Sequence, residues 1–203
     1  MFDEMGPSRL YTISGFLVAL VLAVGTILSI ILYPEWDIRL NSFSDLGDYM
    51  SPSKWIFNGA CMLAGVFLAI FAWGYVKYGK KISKIGGYAF VLTGVLMFLV
   101  GAISKEASYD GHLYISMTFA FVFFFSAAII CIQNVIDREW KYLLPTVIAG
   151  AVIAVTWILY LNGEIVKYGE AQLICFIGAL VWFLSETVRN AKLGFGTEME
   201  TKE

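Results

Sequence analysis

Six stretches of this chain contain no Asp, Glu, Lys or Arg: residues 10–34, 55–76, 85–104, 111–136, 142–163 and 171–185. Five of the six reach the ~20 residues that an α-helix needs to cross ~30 Å of hydrocarbon. The overall balance agrees, because 59% of the 203 residues are hydrophobic and only 15% charged, against ~45–50% and ~25% in soluble chains. The expectation is an all-α polytopic membrane protein: a bundle of six transmembrane helices spanning about 11–33, 55–76, 85–104, 112–134, 142–161 and 171–189, in one membrane domain over 1–203. Polar material outside the spans amounts to a first loop, about residues 34–54, and the tail after Arg189. Neither is long enough to fold by itself. The first apolar run is too long for a secretory h-region, no small-x-small site follows it, and Asp3 and Glu4 precede Arg9, so helix one is expected to stay in the membrane.

Lysine and arginine set the expected orientation. Arg9, Lys77, Lys80, Lys81, Lys84, Arg138, Lys141, Arg189, Lys192 and Lys202 make ten on one side; Arg39, Lys54, Lys105 and Lys167 make four on the other. Both termini should therefore be cytoplasmic in a cell membrane, with loops near 34–54, 105–111 and 162–170 facing outward. The acidic residues divide eight and eight, leaving the outer loops at −4 and the inner side at +2.

Much is excluded by what the sequence lacks. A net charge of −2, a pI near 5.5 and no Lys/Arg cluster interleaved with aromatics argue against nucleic acid as a partner. There is no P-loop GxxxxGK[ST], no GxSxG elbow and no CxxC, and a single histidine excludes bis-histidine haem and three-histidine zinc. No cofactor and no metal are expected. The middle third of every span is free of ionisable groups, and Pro145 is the only proline near a span interior, so an ion pump or inverted-repeat transporter is disfavoured. Cys61, Cys131 and Cys175 all fall within spans, where thiols act as small apolar groups. Small residues mark packing seams: Gly15, Ala19 and Ala23 on helix one, Ala60 and Ala64 on helix two, and Gly87, Gly94 and Gly101 every seventh residue on helix three.

The remaining polar content collects at the outer ends of the helices. The first loop reads Pro34-Glu35-Trp36-Asp37-Ile38-Arg39-Leu40-Asn41-Ser42-Phe43-Ser44-Asp45-Leu46-Gly47-Asp48-Tyr49, and Asn58 lies one turn inside helix two. The loop after helix three carries Lys105, Glu106 and Asp110 and leads to His112, which shares a helix face with Ser116 at i, i+4. Short connections make consecutive spans neighbours. Ser44, Asp45, Asn58, Glu106, Asp110, His112 and Ser116 are therefore expected around one outer-interface pocket. Ser44 or Asp45 equally suits the N-cap of a short interfacial helix. His112 equally suits an interfacial anchor, whereas charges such as Glu106 and Asp110 are most often just solvated loop charges.

Ser44-Asp45-Leu46-Gly47 between helices one and two, Asn58-Gly59 at the top of helix two, and an outer acidic residue followed by His112 at helix four together resemble the six-helix membrane proteins of domain-of-unknown-function family 998. That family, found largely in archaea and bacteria, is similar to six-helix eukaryotic proteins of autophagy modulation and GPI-anchor lipid remodelling, which carry a comparable Ser-Asp-x-Gly signature. The resemblance covers nearly the whole chain and implies the fold and membrane location. It supplies no established activity and no catalytic residue.

Two function classes remain. One is a protein that handles or binds a lipid or its headgroup at the outer pocket, as enzyme or binder, because a histidine beside a carboxylate moves protons near neutrality and a carboxylate cluster can hold a divalent cation bridging to phosphate. The other is a non-enzymatic membrane partner or assembly factor for another integral membrane protein, with the outer motif fixing the loops. The ten-to-four asymmetry generates a direct expectation: a reporter active only outside the cytoplasm stays silent when fused after Glu203, and its activation there would reverse the orientation.

Overall fold

The structure is a computed structural model that describes residues 8–163 and 166–195. Asp3, Glu4, Glu164, Glu198, Glu200, Lys202 and Glu203, used in the charge count, lie outside the described residues. Six helices follow one another: α1 Arg9–Leu32, α2 Lys54–Tyr78, α3 Lys81–Ala102, α4 Tyr109–Ile136, α5 Trp140–Leu161 and α6 Tyr168–Leu193. All six are long and apolar enough to cross a membrane, and no strand occurs among the described residues. Helices are the expected solution because a bilayer offers no water to bond free N–H and C=O groups. The chain is an all-helical, six-span, multi-pass membrane protein.

The helices outrun the charge-free stretches that announced them. α3 starts at Lys81 rather than near 85, α4 at Tyr109 rather than 112, and α6 runs from Tyr168 to Leu193 rather than 171–189. Absence of charge marks the hydrocarbon thickness, whereas a helix continues through the headgroup layer until a cap or turn stops it. The α4–α5 turn shows such a stop. Glu139 N–H donates to Asn134 O at 2.9 Å and Arg138 N–H to Val135 O at 3.0 Å, a Schellman pattern with Arg138 at φ 58° where glycine is usual. An L-residue held there costs about 1–2 kcal/mol.

α2 is the axis of the bundle, packed against α1 on one side and α3 on the other. α4 follows on α3, α6 lies on α1, and α5 packs mainly on α6, with few contacts to α4. Glycines set the closest approach. A Cβ at Gly94 would lie 2.7 Å from both Ala69 N and Gly65 O, one at Gly101 2.5 Å from Asn58 O, and one at Gly87 2.7 Å from Tyr75 Cβ. The seven-residue stripe of α3 is thus a backbone-to-backbone seam against α2. Around it Phe71, Tyr75, Phe90, Trp182, Phe183 and Phe195 form a buried aromatic core, with Phe71 and Phe183 centroids 5.0 Å apart. Large apolar side chains elsewhere, such as Leu20, Ile27, Phe121 and Val147, face outward as lipid-contacting helices require.

The seam predicts a sharp contrast between two glycine substitutions. Gly94→Leu drives a side chain into the backbone of α2 and should cost about 3 kcal/mol, read as a lower unfolding temperature and loss of monodispersity in detergent. Gly59→Leu, where an added Cβ meets nothing within 4 Å, should be nearly neutral. Unchanged thermal stability of Gly94→Leu would mean that the stripe does not hold the bundle together.

Candidate functional site

At the end of the bundle away from the termini, the first loop is built on short polar ties. Residues Phe43–Gly47 form one turn of 3₁₀ helix. Its N-cap is Ser42, and Asp45 is the third residue, whose carboxylate reaches back to accept Ser42 N–H at 2.6 Å. The capping role therefore falls on the Ser42/Asp45 pair, with Ser44 Oγ 2.9 Å from Ser42 Oγ. Leu46 is fully buried beneath the turn, and Ser53 Oγ donates to its carbonyl at 2.9 Å. Asn58 Nδ2 donates to Gly47 O at 2.9 Å, and a Cβ at Gly47 would overlap the Asn58 amide at 2.1 Å, so only glycine fits there. The loop is also pinned to α6. Phe43 N–H donates to Gln172 Oε1 at 3.0 Å, Phe43 stacks on Phe176, and Arg39 pairs with Glu170 at 3.3 Å.

Lys105, beyond α3, closes this assembly. Its ammonium binds the Asp45 carboxylate and donates to Ser42 Oγ at 2.8 Å. Burial alone pushes the Asp45 carboxyl up, but the Lys105 ammonium and the Ser42 N–H outweigh it and hold the group below its ordinary 3.8. For a carboxyl depressed on folding, the stabilising contribution is complete above that ordinary value and is lost as pH falls through the lowered one. The tie is therefore intact at neutral pH.

Asp45, Asp48, Tyr49, Met50, Lys105, Glu106 and Tyr109 line an open depression of about 440 Å³ at this end. Of the seven residues expected from the sequence, Asp45 and Glu106 line it; Ser44, Asn58, Asp110, His112 and Ser116 are not among its lining residues. Glu106 and Asp110 are exposed. His112 is buried, with Nδ1 2.6 Å from Ile103 O. Bonding to a carbonyl places the proton on Nδ1, so the ring ties down the residue that follows α3 from the first turn of α4. His112 Nε2 is buried without a partner among the described residues. No group of three or more His, Cys, Asp or Glu suited to a metal occurs among the described residues.

The sequence reading placed the polar content at the outer helix ends; the structure adds a second polar centre, buried at the terminus-bearing end. Glu186 of α6 is 2% exposed. Its Oε1 accepts from Tyr75 OH of α2 at 2.5 Å and from Arg189 at 3.2 Å, and its Oε2 accepts from Asn134 Nδ2 of α4 at 2.9 Å. Asn190 Nδ2 donates to the Tyr75 oxygen at 2.6 Å and takes a bond from Arg189 at 2.9 Å. The other side of the Arg189 guanidinium pairs with Glu139 in the α4–α5 turn. One cation thus serves two carboxylates, and both Glu186 oxygens are satisfied. Arg189 had been counted only as a topology determinant. The available signal was Glu186, Arg189 and Asn190 at i, i+3, i+4, on one face of α6 with Trp182 and Phe183.

The arrangement locks α2, α4, α6 and the α4–α5 turn together, and its cost on removal is predictable. Glu186→Leu strands the donors of Tyr75, Asn134 and Arg189 and should lose about 3–5 kcal/mol. Tyr75→Phe removes one bond to the Glu186 carboxylate and one from the Asn190 amide and should lose about 2 kcal/mol. Unfolding midpoints in detergent should rank wild type above Tyr75→Phe above Glu186→Leu; a Glu186→Leu protein as stable as wild type would remove the network from the list of things holding the bundle.

No curated protein and no solved structure matches the chain. A family match does, covering residues 16–189 and so all but the first turns of α1 and the last turn of α6. With six spans in the expected order and the Ser44–Gly47 turn clamped by Asn58, the chain belongs to the family described as protein of unknown function (DUF998).

Proposed function

We propose that this protein binds a membrane lipid by its headgroup, in the depression between the first loop and the α3–α4 loop. The observation that carries the reading is the charge of that lining: Asp45, Asp48 and Glu106 against Lys105, a balance of −2 from three carboxylates and one ammonium. Asp45 and Lys105 neutralise each other. The charge left to a ligand is that of Asp48 and Glu106, flanked by the Tyr109 ring and by Tyr49, whose own ring carries the Lys54 ammonium at 4.1 Å. Carboxylates with aromatic faces suit an ammonium-bearing headgroup. Exposed Tyr49, Met50 and Trp55 at the same end supply the amphipathic anchors common at a membrane interface. The ten-to-four charge asymmetry supports the matching orientation, with the depression in the outer leaflet of the cell membrane and the termini in the cytoplasm.

The test uses the full chain reconstituted in vesicles of phosphatidylethanolamine and monogalactosyldiacylglycerol, which carries neither ammonium nor phosphate, extracted in mild detergent and assayed for retained lipid by mass spectrometry. Phosphatidylethanolamine should be enriched about fivefold over its share, and Asp48→Asn with Glu106→Gln should abolish the excess while leaving the Asp45–Lys105 tie intact. Excess that survives in that variant, or none in the wild type, overturns the reading. Stoichiometric co-purification of another integral membrane protein, without lipid excess, would favour the assembly role instead.

A further inference from the structure

Midway along α5 and α6, beside the terminus-side half of α4, α5 stands off from α4 and leaves an apolar groove between the three helices, with a volume of about 200 Å³. Its walls run from Phe123 to Cys131 on α4, from Thr146 to Ile153 on α5 and from Gly178 to Trp182 on α6. The eight steps of α4 from Phe123 to Cys131 make it about 12 Å long at ~1.5 Å per residue. Gly150 leaves it open, since a Cβ there would meet nothing within 4 Å. In hydrocarbon such a groove offers the shape of an acyl tail, and what distinguishes one lipid from another is the charge at its mouth.

The α4–α5 turn supplies that charge. Between Asp137 and Lys141 it carries two acids and two bases. Both acids are consumed by cations from other helices: Asp137 by Lys80 of the α2–α3 connection at 2.8 Å, and Glu139 by Arg189 of α6. Arg138 and Lys141 are exposed and have no ion-pair partner among the described residues. They sit at the α4–α5 end of the bundle, seven residues beyond Cys131 and five before Thr146, the lining residues nearest that end. Unpaired basic residues at the end of a cleft between membrane helices attract anionic headgroups.

We infer that the α4–α5–α6 groove is a second lipid site, one that seats the tail of an anionic glycerophospholipid in the terminus-side leaflet with its phosphate on Arg138 and Lys141. The inference does not rest on the outer depression, whose lining is acidic and belongs to the other leaflet. It also separates cleanly in substitution, because both halves of the site can be changed without harming the fold. Arg138→Gly removes the charge and relieves a positive φ, and Lys141→Gln lies on an exposed first turn. Gly150→Leu fills the groove from a position with free space.

The experiment reconstitutes the full chain in vesicles of phosphatidylcholine and phosphatidylglycerol in equal parts, extracts it gently and quantifies retained lipid, with thermal unfolding as the folding control. Beyond any phospholipid that Asp48→Asn/Glu106→Gln releases from the outer depression, wild type should retain phosphatidylglycerol about tenfold over phosphatidylcholine. Arg138→Gly/Lys141→Gln should keep a phospholipid but lose the preference, and Gly150→Leu should lose the phospholipid, both with unfolding temperatures at or above wild type. A preference unchanged in the double variant, lipid retention unchanged in Gly150→Leu, or no preference in the wild type would each overturn the site. Loss of phosphatidylglycerol in Asp48→Asn/Glu106→Gln would place the anionic lipid in the outer depression and overturn it as well.

Discussion

The contact between α2 and α3 governs the rest of the molecule. In lipid the side chains of two helices gain nothing by leaving hydrocarbon for each other, so association depends on how closely backbones approach and on polar bonds between them. Gly65 and Gly94 meet through their own main-chain atoms, and Gly101 brings the upper end of α3 against Asn58. At the lower end Gly87 leaves room for the Tyr75 side chain, which is fully buried as a result. From there its hydroxyl reaches Glu186. The glycine seam thus positions both polar centres: Asn58, which clamps Gly47, and Tyr75, which bridges α2 to α6.

The two centres use charge differently. At the loop end, Asp45, Ser42 and Lys105 form a half-buried tie in contact with water, where an ion pair contributes little beyond holding a shape. Its value is positional, because it joins the 3₁₀ turn to the end of α3 and leaves Asp48 and Glu106 free at the edge of the depression. At the terminus end Glu186 and Arg189 are almost fully buried, and there each missing partner would leave a desolvated polar group. Every Glu186 oxygen has a donor, which makes that centre a lock across three helices. The lock also holds Glu139, and so leaves Arg138 and Lys141 as the unpaired charges of the α4–α5 turn.

Much of this was legible in the chain before any coordinates. Charge-free length specified six spans, because the cost of burying charge in hydrocarbon is written residue by residue. The seven-residue recurrence of Gly87, Gly94 and Gly101 specified a seam, because a helix presents such positions along one stripe. The Ser44–Gly47 motif and Asn58 marked a polar outer loop with capping residues; that Asp45 takes Lys105 and the Ser42 N–H as its partners came from the structure.

Partner choice across distant helices was decided only in three dimensions. Asp45 and Glu106 share a depression while His112 turns to the Ile103 carbonyl, a difference that depends on the rotation of α4 about its axis and not on spacing along the chain. Glu186 and Tyr75 lie 111 positions apart and meet because α6 folds back across α2. Hydropathy reads each residue against lipid or water and is blind to a third environment, the interior of the bundle. Only the tertiary structure could show that the charges near the end of α6 face inward, and that the sparse contact between α4 and α5 leaves a groove.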